Sequence, residues 1–149
     1  MRAVIQRVKN ARVVVNSEPV GEIEKGLLIY LCVCSDDTDS DLDYTAKKIV
    51  NMRIFPDSNG KFNLSLIDVK GSCLVISQFT LAADTKKGNR PSYFYAAEPQ
   101  KAELLYEKFI EKLVKTYGVH TEKGVFGAHM EVYSINDGPV TIYFDSKNR

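Results

Sequence analysis

Residues 72–84, Ser-Cys-Leu-Val-Ile-Ser-Gln-Phe-Thr-Leu-Ala-Ala-Asp, form the longest apolar run in the chain. A run rich in Val, Ile, Leu and Phe that opens after Gly71 predicts a central strand covered on both faces. Ser77 and Gln78 interrupt it, and Thr80 follows. Polar side chains are costly inside such a strand unless they are hydrogen-bonded. These three therefore either satisfy one another in a core or face a pocket. Residues 27–33, opened by Gly26, are a second unbroken apolar run and predict a second central strand.

Elsewhere the pattern changes over shorter distances. Residues 3–15 mix valines with Arg and Gln and predict two short strands with a bend or bulge at Asn10. Asn16 to Pro19 predicts a turn, and residues 20–23 a strand pairing back. Leu42, Thr45, Ala46, Ile49 and Val50 have helical spacing, and five aspartates lie between positions 36 and 43. Acidic residues at a helix start complement its dipole and supply a cap. They also raise a metal site, but the stretch lacks the glycine and distal glutamate of a calcium loop. Asn59-Gly60 predicts a hairpin turn.

Residues 99–117 predict the clearest helix, with Pro99 in its first turn and Gly118 as its C-terminal stop. Ala102, Leu105, Tyr106, Phe109, Leu113 and Tyr117 form its apolar face. Short strands are expected at 119–121 and 125–126, and longer ones at 131–135 and 140–144, with Asn136-Asp-Gly-Pro139 as a turn between the last two. The order implies one α+β domain over residues 1–149, with largely antiparallel sheets and two main helices packed against them.

Composition narrows this without redirecting it. A chain of 149 residues, 44% apolar and 26% charged, suits one folded core. A net charge of +1 excludes coating nucleic acid by charge alone, yet allows a local grip on a nucleic-acid end. No apolar run reaches membrane-spanning length, so no membrane partner is expected. Cys32, Cys34 and Cys73 sit in apolar stretches and predict buried thiols in a reducing, cytoplasmic setting. Neither their spacing nor His120 and His129 completes a zinc set.

The common catalytic signatures are missing. There is no Gly-X-Ser-X-Gly elbow, no His-Glu-X-X-His, no P-loop and no Rossmann fingerprint. Nothing in the spacing ties His120 or His129 to Ser77 or Thr80. Catalysis would then rest on positioning and backbone donors, or on a reactive group that the substrate brings. Lys86-Lys-Gly-Asn-Arg-Pro-Ser92 is either a solvated turn or a phosphate-contacting loop at the mouth of a site. Arg7 is either a surface strand residue or an arginine directed into a site. Gly138-Pro139 is either an ordinary hairpin turn or a cis X-Pro bond with an unobstructed glycine carbonyl.

Six stretches together resemble the D-aminoacyl-tRNA deacylases, also called D-tyrosyl-tRNA deacylases. They are Met1-Arg-Ala-Val-Ile-Gln-Arg-Val8, Lys48-Ile-Val-Asn-Met-Arg-Ile-Phe55, Ser77-Gln-Phe-Thr-Leu81, Gly88-Asn-Arg-Pro-Ser92, Gly127-Ala-His-Met130 and Asn136-Asp-Gly-Pro-Val-Thr141. The resemblance covers essentially the whole chain. His129 stands where the family often has aspartate, and Tyr93 where it often has phenylalanine.

The resemblance implies a barrel-like fold and hydrolysis of the ester joining a D-amino acid to the tRNA 3′-terminal adenosine. It also implies that no metal or organic cofactor is needed, that glycyl-tRNA is a second substrate, and that the chain is a cytoplasmic homodimer with the site at the subunit interface. Gly138-Pro139 would be cis and would reach into the partner's pocket, where its carbonyls hold the α-amino group and leave no room for an L-side chain. Ser77, Gln78, Phe79 and Thr80 would form the floor beside the ester. Thr80 would be the nucleophile, or the substrate's 2′-hydroxyl would assist beside a backbone N–H near Phe79. The residues favour the second route, since no base accompanies Thr80. Arg7 would steady the Gly-Pro loop, Phe126 and Met130 would line the pocket, and Ala102 would leave space for the nucleotide.

Overall fold

The computed structural model describes residues 1–148. Its spine is β1 (Arg2–Val15), a single strand where two short ones are expected. One edge of β1 pairs antiparallel with β2 (Glu18–Ile23) along its second half and with β3 (Gly26–Cys32) along its first. The strand stays continuous because β8 (Glu131–Asp145) runs antiparallel along the whole of its other edge. The irregularity expected near Asn10 is present as a register shift against β8 between Val8 and Ala11. A hairpin joins β4 (Phe55–Pro56) to β5 (Phe62–Leu64) around Asn59-Gly60, where Gly60 has φ +75°.

The sheet is largely antiparallel, as expected, with two parallel pairings that make it mixed. β6 (Ser72–Ser77) lies parallel to β3, and β7 (Thr121–Lys123) lies parallel to β6. Parallel neighbours need long crossovers. Helix α1 (Asp39–Val50) lies in the first crossover and α2 (Pro99–Lys115) in the second. Residues 125–126 lie outside any strand, since β7 ends at Lys123.

The curled sheet explains why residues 27–33 and 73–76 carry apolar side chains on both faces. Leu27, Ile29, Leu31, Cys73 and Val75 join the main core under the helices, with Leu105, Phe109 and Leu113 of α2. Leu28, Leu74 and Ile76 face the other way, into a second core with Val8, Val13 and Ile23 inside the curl. Gly21 of β2 is what allows β2 to lie over β6 and β7. A Cβ there would stand 2.8 Å from the Lys123 carbonyl and 3.3 Å from Leu74. The three cysteines are free and buried.

The aspartate cluster is spent on the fold. Thr38, not an aspartate, is the N-cap of α1, and it donates its N–H and hydroxyl to the Asp41 carboxylate at 3.0 Å. Asp37 is fully buried against the Met1 ammonium at 2.5 Å. Asp39 and Asp43 pair with Lys108 and Lys112 of α2. Burial disfavours the charged form of Asp41. Bonds from Lys147, Thr38 and Ser146 outweigh this and hold its carboxyl well below the usual range. Among the described residues no three His, Cys, Asp or Glu side chains are grouped to hold a metal ion.

Candidate active site

β6 stops sooner than its apolar run does. Leu31 opposite Ser77 is the last pair with β3, and the Gln78 N–H makes one further bond to the Leu31 carbonyl at 2.8 Å. Beyond this β3 ends, and the chain turns into a single 3-10 turn, Phe79–Ala82. Gln78, Phe79 and Thr80 are thus not strand residues, as the pattern predicts, but lie just past the carboxyl ends of two parallel strands. That is where open sheets with parallel strands place their ligand crevices.

A cavity of about 540 Å³ occupies this position. Ser77, Gln78 and Phe79 border it on one side. Ala96, Ala97 and Ala102 border it from the segment that enters α2, and Phe126 and Met130 from the loop after β7. Gly124 makes that loop possible. It is buried, and a Cβ on it would stand 2.5 Å from the Met130 sulfur and 3.3 Å from Ile76. Tyr106, behind Phe126 at 5.9 Å between ring centroids, donates its hydroxyl to the Val75 carbonyl at 2.8 Å.

The cavity wall contains no Asp, Glu, Lys or Arg. Burial pushes the Tyr30 and Tyr106 phenols up, so both stay neutral. His129 also lines the cavity, although nothing in its sequence spacing signals it; Gly124 and Gly127 fold its loop back over β6. His120 lies at the other end of β6 and pairs with Glu122 at 3.4 Å. The Thr80 hydroxyl accepts a hydrogen bond from the Gln78 amide, a group too weak to take its proton. The Phe79 N–H opens the 3-10 turn with no acceptor among the described residues.

Arg7, Gly138 and Pro139 lie outside the cavity wall. The Gly138-Pro139 bond is cis, and it is not a hairpin turn. Both flanks pair with the same strand, since Asn136 faces Val8 and Thr141 faces Gln6. Four residues, 137–140, therefore stand opposite one, Arg7, and three are surplus. The surplus leaves the sheet as an exposed bulge. Arg7 is buried beneath it, donating Nε to the Asp137 carbonyl at 3.0 Å and Nη1 to the Ile54 carbonyl at 2.6 Å. Its guanidinium also lies over the Phe62 ring at 5.1 Å. The surface-residue alternative for Arg7 is therefore excluded.

The family model described as D-Tyr-tRNA(Tyr) deacylase matches residues 4–145.

The chain belongs to the D-aminoacyl-tRNA deacylase family.

Among curated relatives, the D-aminoacyl-tRNA deacylase of Fervidobacterium nodosum is 58% identical over 99% of this chain and 98% of its own. That of Desulfatibacillum aliphaticivorans is 56% identical over 99% of this chain and all of its own. A solved structure described as c-Myc DNA Unwinding Element Binding Protein superposes with a TM-score of 0.93 at 40% identity, covering 97% of this chain and 98% of that one. A probable eukaryotic D-amino acid tRNA deacylase superposes at 0.86 with 18% identity, which speaks for the fold alone. D-aminoacyl-tRNA deacylases are hydrolases whose substrate is a tRNA carrying a D-amino acid. No helix among the described residues is long and apolar enough to cross a membrane.

Proposed function

We propose that this deacylase works as a cytoplasmic homodimer in which the Gly138-Pro139 bulge of one subunit completes the cavity of the other. The observation that carries this reading is the bulge itself. It is exposed, absent from its own chain's cavity wall, and held by a buried arginine. A loop so braced is pre-organised to meet something outside its own chain. The outer edge of β8, 15 residues long with Tyr133, Ile135 and Tyr143 exposed, is unpaired among the described residues. Long unpaired edges invite pairing with another chain.

In this reading the bulge's carbonyls hold the substrate's α-amino group and exclude an L-side chain. Glycine, with no side chain, escapes that rejection, so glycyl-tRNA is a second substrate. Ser77, Gln78 and Phe79 lie beside the ester, with Gln78 orienting it. The Phe79 N–H stabilises the oxyanion, and the terminal ribose 2′-hydroxyl assists attack. Phe126 and Met130 pack on the bound adenosine or amino acid, and Ala102 leaves it room.

Release of tyrosine from D-Tyr-tRNA and L-Tyr-tRNA tests the reading. The D-ester is expected to be cleaved and the L-ester to decay at its spontaneous rate; equal spontaneous decay of both would end the enzymatic reading. That result would favour a second one, nucleic-acid binding without hydrolysis, which the DNA-element-binding description of the 40% identical structure keeps in view. Thr80→Ala is expected to keep kcat within about tenfold, because no base accompanies the hydroxyl. Complete loss of kcat with substrate binding intact would instead restore a covalent route through Thr80.

A further inference from the structure

One aromatic cluster is left over after the cavity is accounted for. Phe94 is 84% exposed, more than any other large apolar side chain among the described residues. Its ring stands edge-on to Tyr95 at 5.7 Å. Tyr93 stands edge-on to Phe79 at 5.0 Å, and Phe79 is a wall of the cavity. The four rings thus form two edge-on pairs that meet in sequence at Tyr93-Phe94, and Ala96 and Ala97 of the wall follow directly. Scattered exposed aromatics are ordinary. Three consecutive exposed aromatic residues, one in ring contact with the cavity wall and the last adjoining it in sequence, are not scattered.

The segment before it has the opposite chemistry. Asp84 and Ser92 exchange backbone hydrogen bonds at 2.7 and 2.9 Å, closing residues 85–91 into a loop. That loop holds Lys86, Lys87 and Arg90 and no acidic residue. Among the described residues none of the three forms an ion pair, whereas Lys108, Lys112 and Lys147 all do. The Ser35 N–H bonds to the Tyr95 carbonyl at 2.9 Å and fastens the aromatic end to the body of the protein.

We infer that Tyr93-Phe94-Tyr95 and the loop at 85–91 form a second nucleotide subsite, for the single-stranded bases that precede the terminal adenosine. Exposed rings beside unpaired cations suit a single strand, whose bases stack and whose phosphates meet charge. Phe94 lies two positions before Ala96 of the wall, a span of at most about 7 Å. That is the reach of one or two nucleotides. A second copy of this chain suits the patch less well, because an isologous contact would set the two basic loops against each other. The inference rests on the tRNA-ester reading, and it names a further contact with that substrate.

The test uses two substrates, D-Tyr-tRNA and D-tyrosyl-adenosine, the second lacking the preceding nucleotides. Phe94→Ala is expected to raise KM for D-Tyr-tRNA roughly tenfold with kcat kept. Its kinetics on D-tyrosyl-adenosine should equal those of the unaltered chain, and Phe94→Trp should restore KM. Replacing Lys86, Lys87 and Arg90 by serine should flatten the dependence of KM on salt. Equal losses on both substrates, no loss on D-Tyr-tRNA, or a changed sedimentation coefficient for Phe94→Ala would overturn the subsite. If the unaltered chain cleaves neither substrate, the deacylase reading fails by itself. Binding of an ACCA RNA oligonucleotide then decides: weakening by Phe94→Ala sustains the subsite, and binding that is absent or indifferent to Phe94 removes it.

Discussion

Gly138→Val is expected to lower kcat/KM for D-Tyr-tRNA at least about 100-fold, the scale set by an ångström of misplacement at a reacting centre. Gly138 has φ +139°, a region that side-chain-bearing residues rarely enter. A Cβ there would stand 2.8 Å from Val140 Cγ2 and 3.2 Å from the Arg7 guanidinium. Neither neighbour can yield without consequence. Val140 is buried where the strand resumes, and Arg7 is held from beneath by its bond to Ile54. The bulge itself must therefore shift. The ladder on both sides is untouched, so Tm should change by only a few degrees. Single-turnover hydrolysis, with thermal unfolding as the control, reads both quantities. An unchanged rate with unchanged D/L discrimination would remove the bulge from the site.

The largest effect on stability is expected from Asp37→Ala. Asp37 and Met1 are fully buried, and one carboxylate oxygen takes the Met1 ammonium at 2.5 Å. The other takes the Cys34 N–H at 2.6 Å. Truncation would leave a buried cation and a buried donor without this partner. Breaking a buried pair from one side costs about 3–5 kcal/mol, which for a domain of this size lowers Tm by roughly 10–15 °C. Asp37→Asn should fall between, since it keeps an acceptor and loses the charge. Calorimetry under identical buffer conditions separates the three proteins. A fall below about 2 °C for Asp37→Ala would mean that the ammonium regains water at little cost. The effect should reach the site. Cys34 and Ser35 adjoin Asp37, and Ser35 anchors Tyr95.

Much of this was legible along the chain, for identifiable reasons. Residues 27–33 and 72–77 read as doubly covered strands because all but Tyr30, Ser72 and Ser77 are buried, under the helices on one face and inside the curled sheet on the other. The helix at 99–115 showed itself through its spacing and its proline. What misled was the assumption that pattern ends where structure ends. Phe79 and Leu81 continue an apolar run, but the strand stops where β3 stops. Asn136-Asp-Gly-Pro139 has turn composition, yet the chain does not reverse there, because β1 pairs with both flanks. The five aspartates looked like one cluster and serve several separate cations.

By itself the sequence determined both helices, the two central strands and, through six motifs spread over the chain, the family. These are local properties, since burial periodicity and motif chemistry are written residue by residue. The tertiary structure decided which of those residues meet. The helical crossovers set β6 beside β3 in parallel and carried Ala102, Phe126, His129 and Met130 to the ends of those strands. The same topology left Arg7 and Gly138 out of that cavity wall, at the bulge of β8. No short-range pattern encodes such distances, because they follow from how sheet and helices close over a common core.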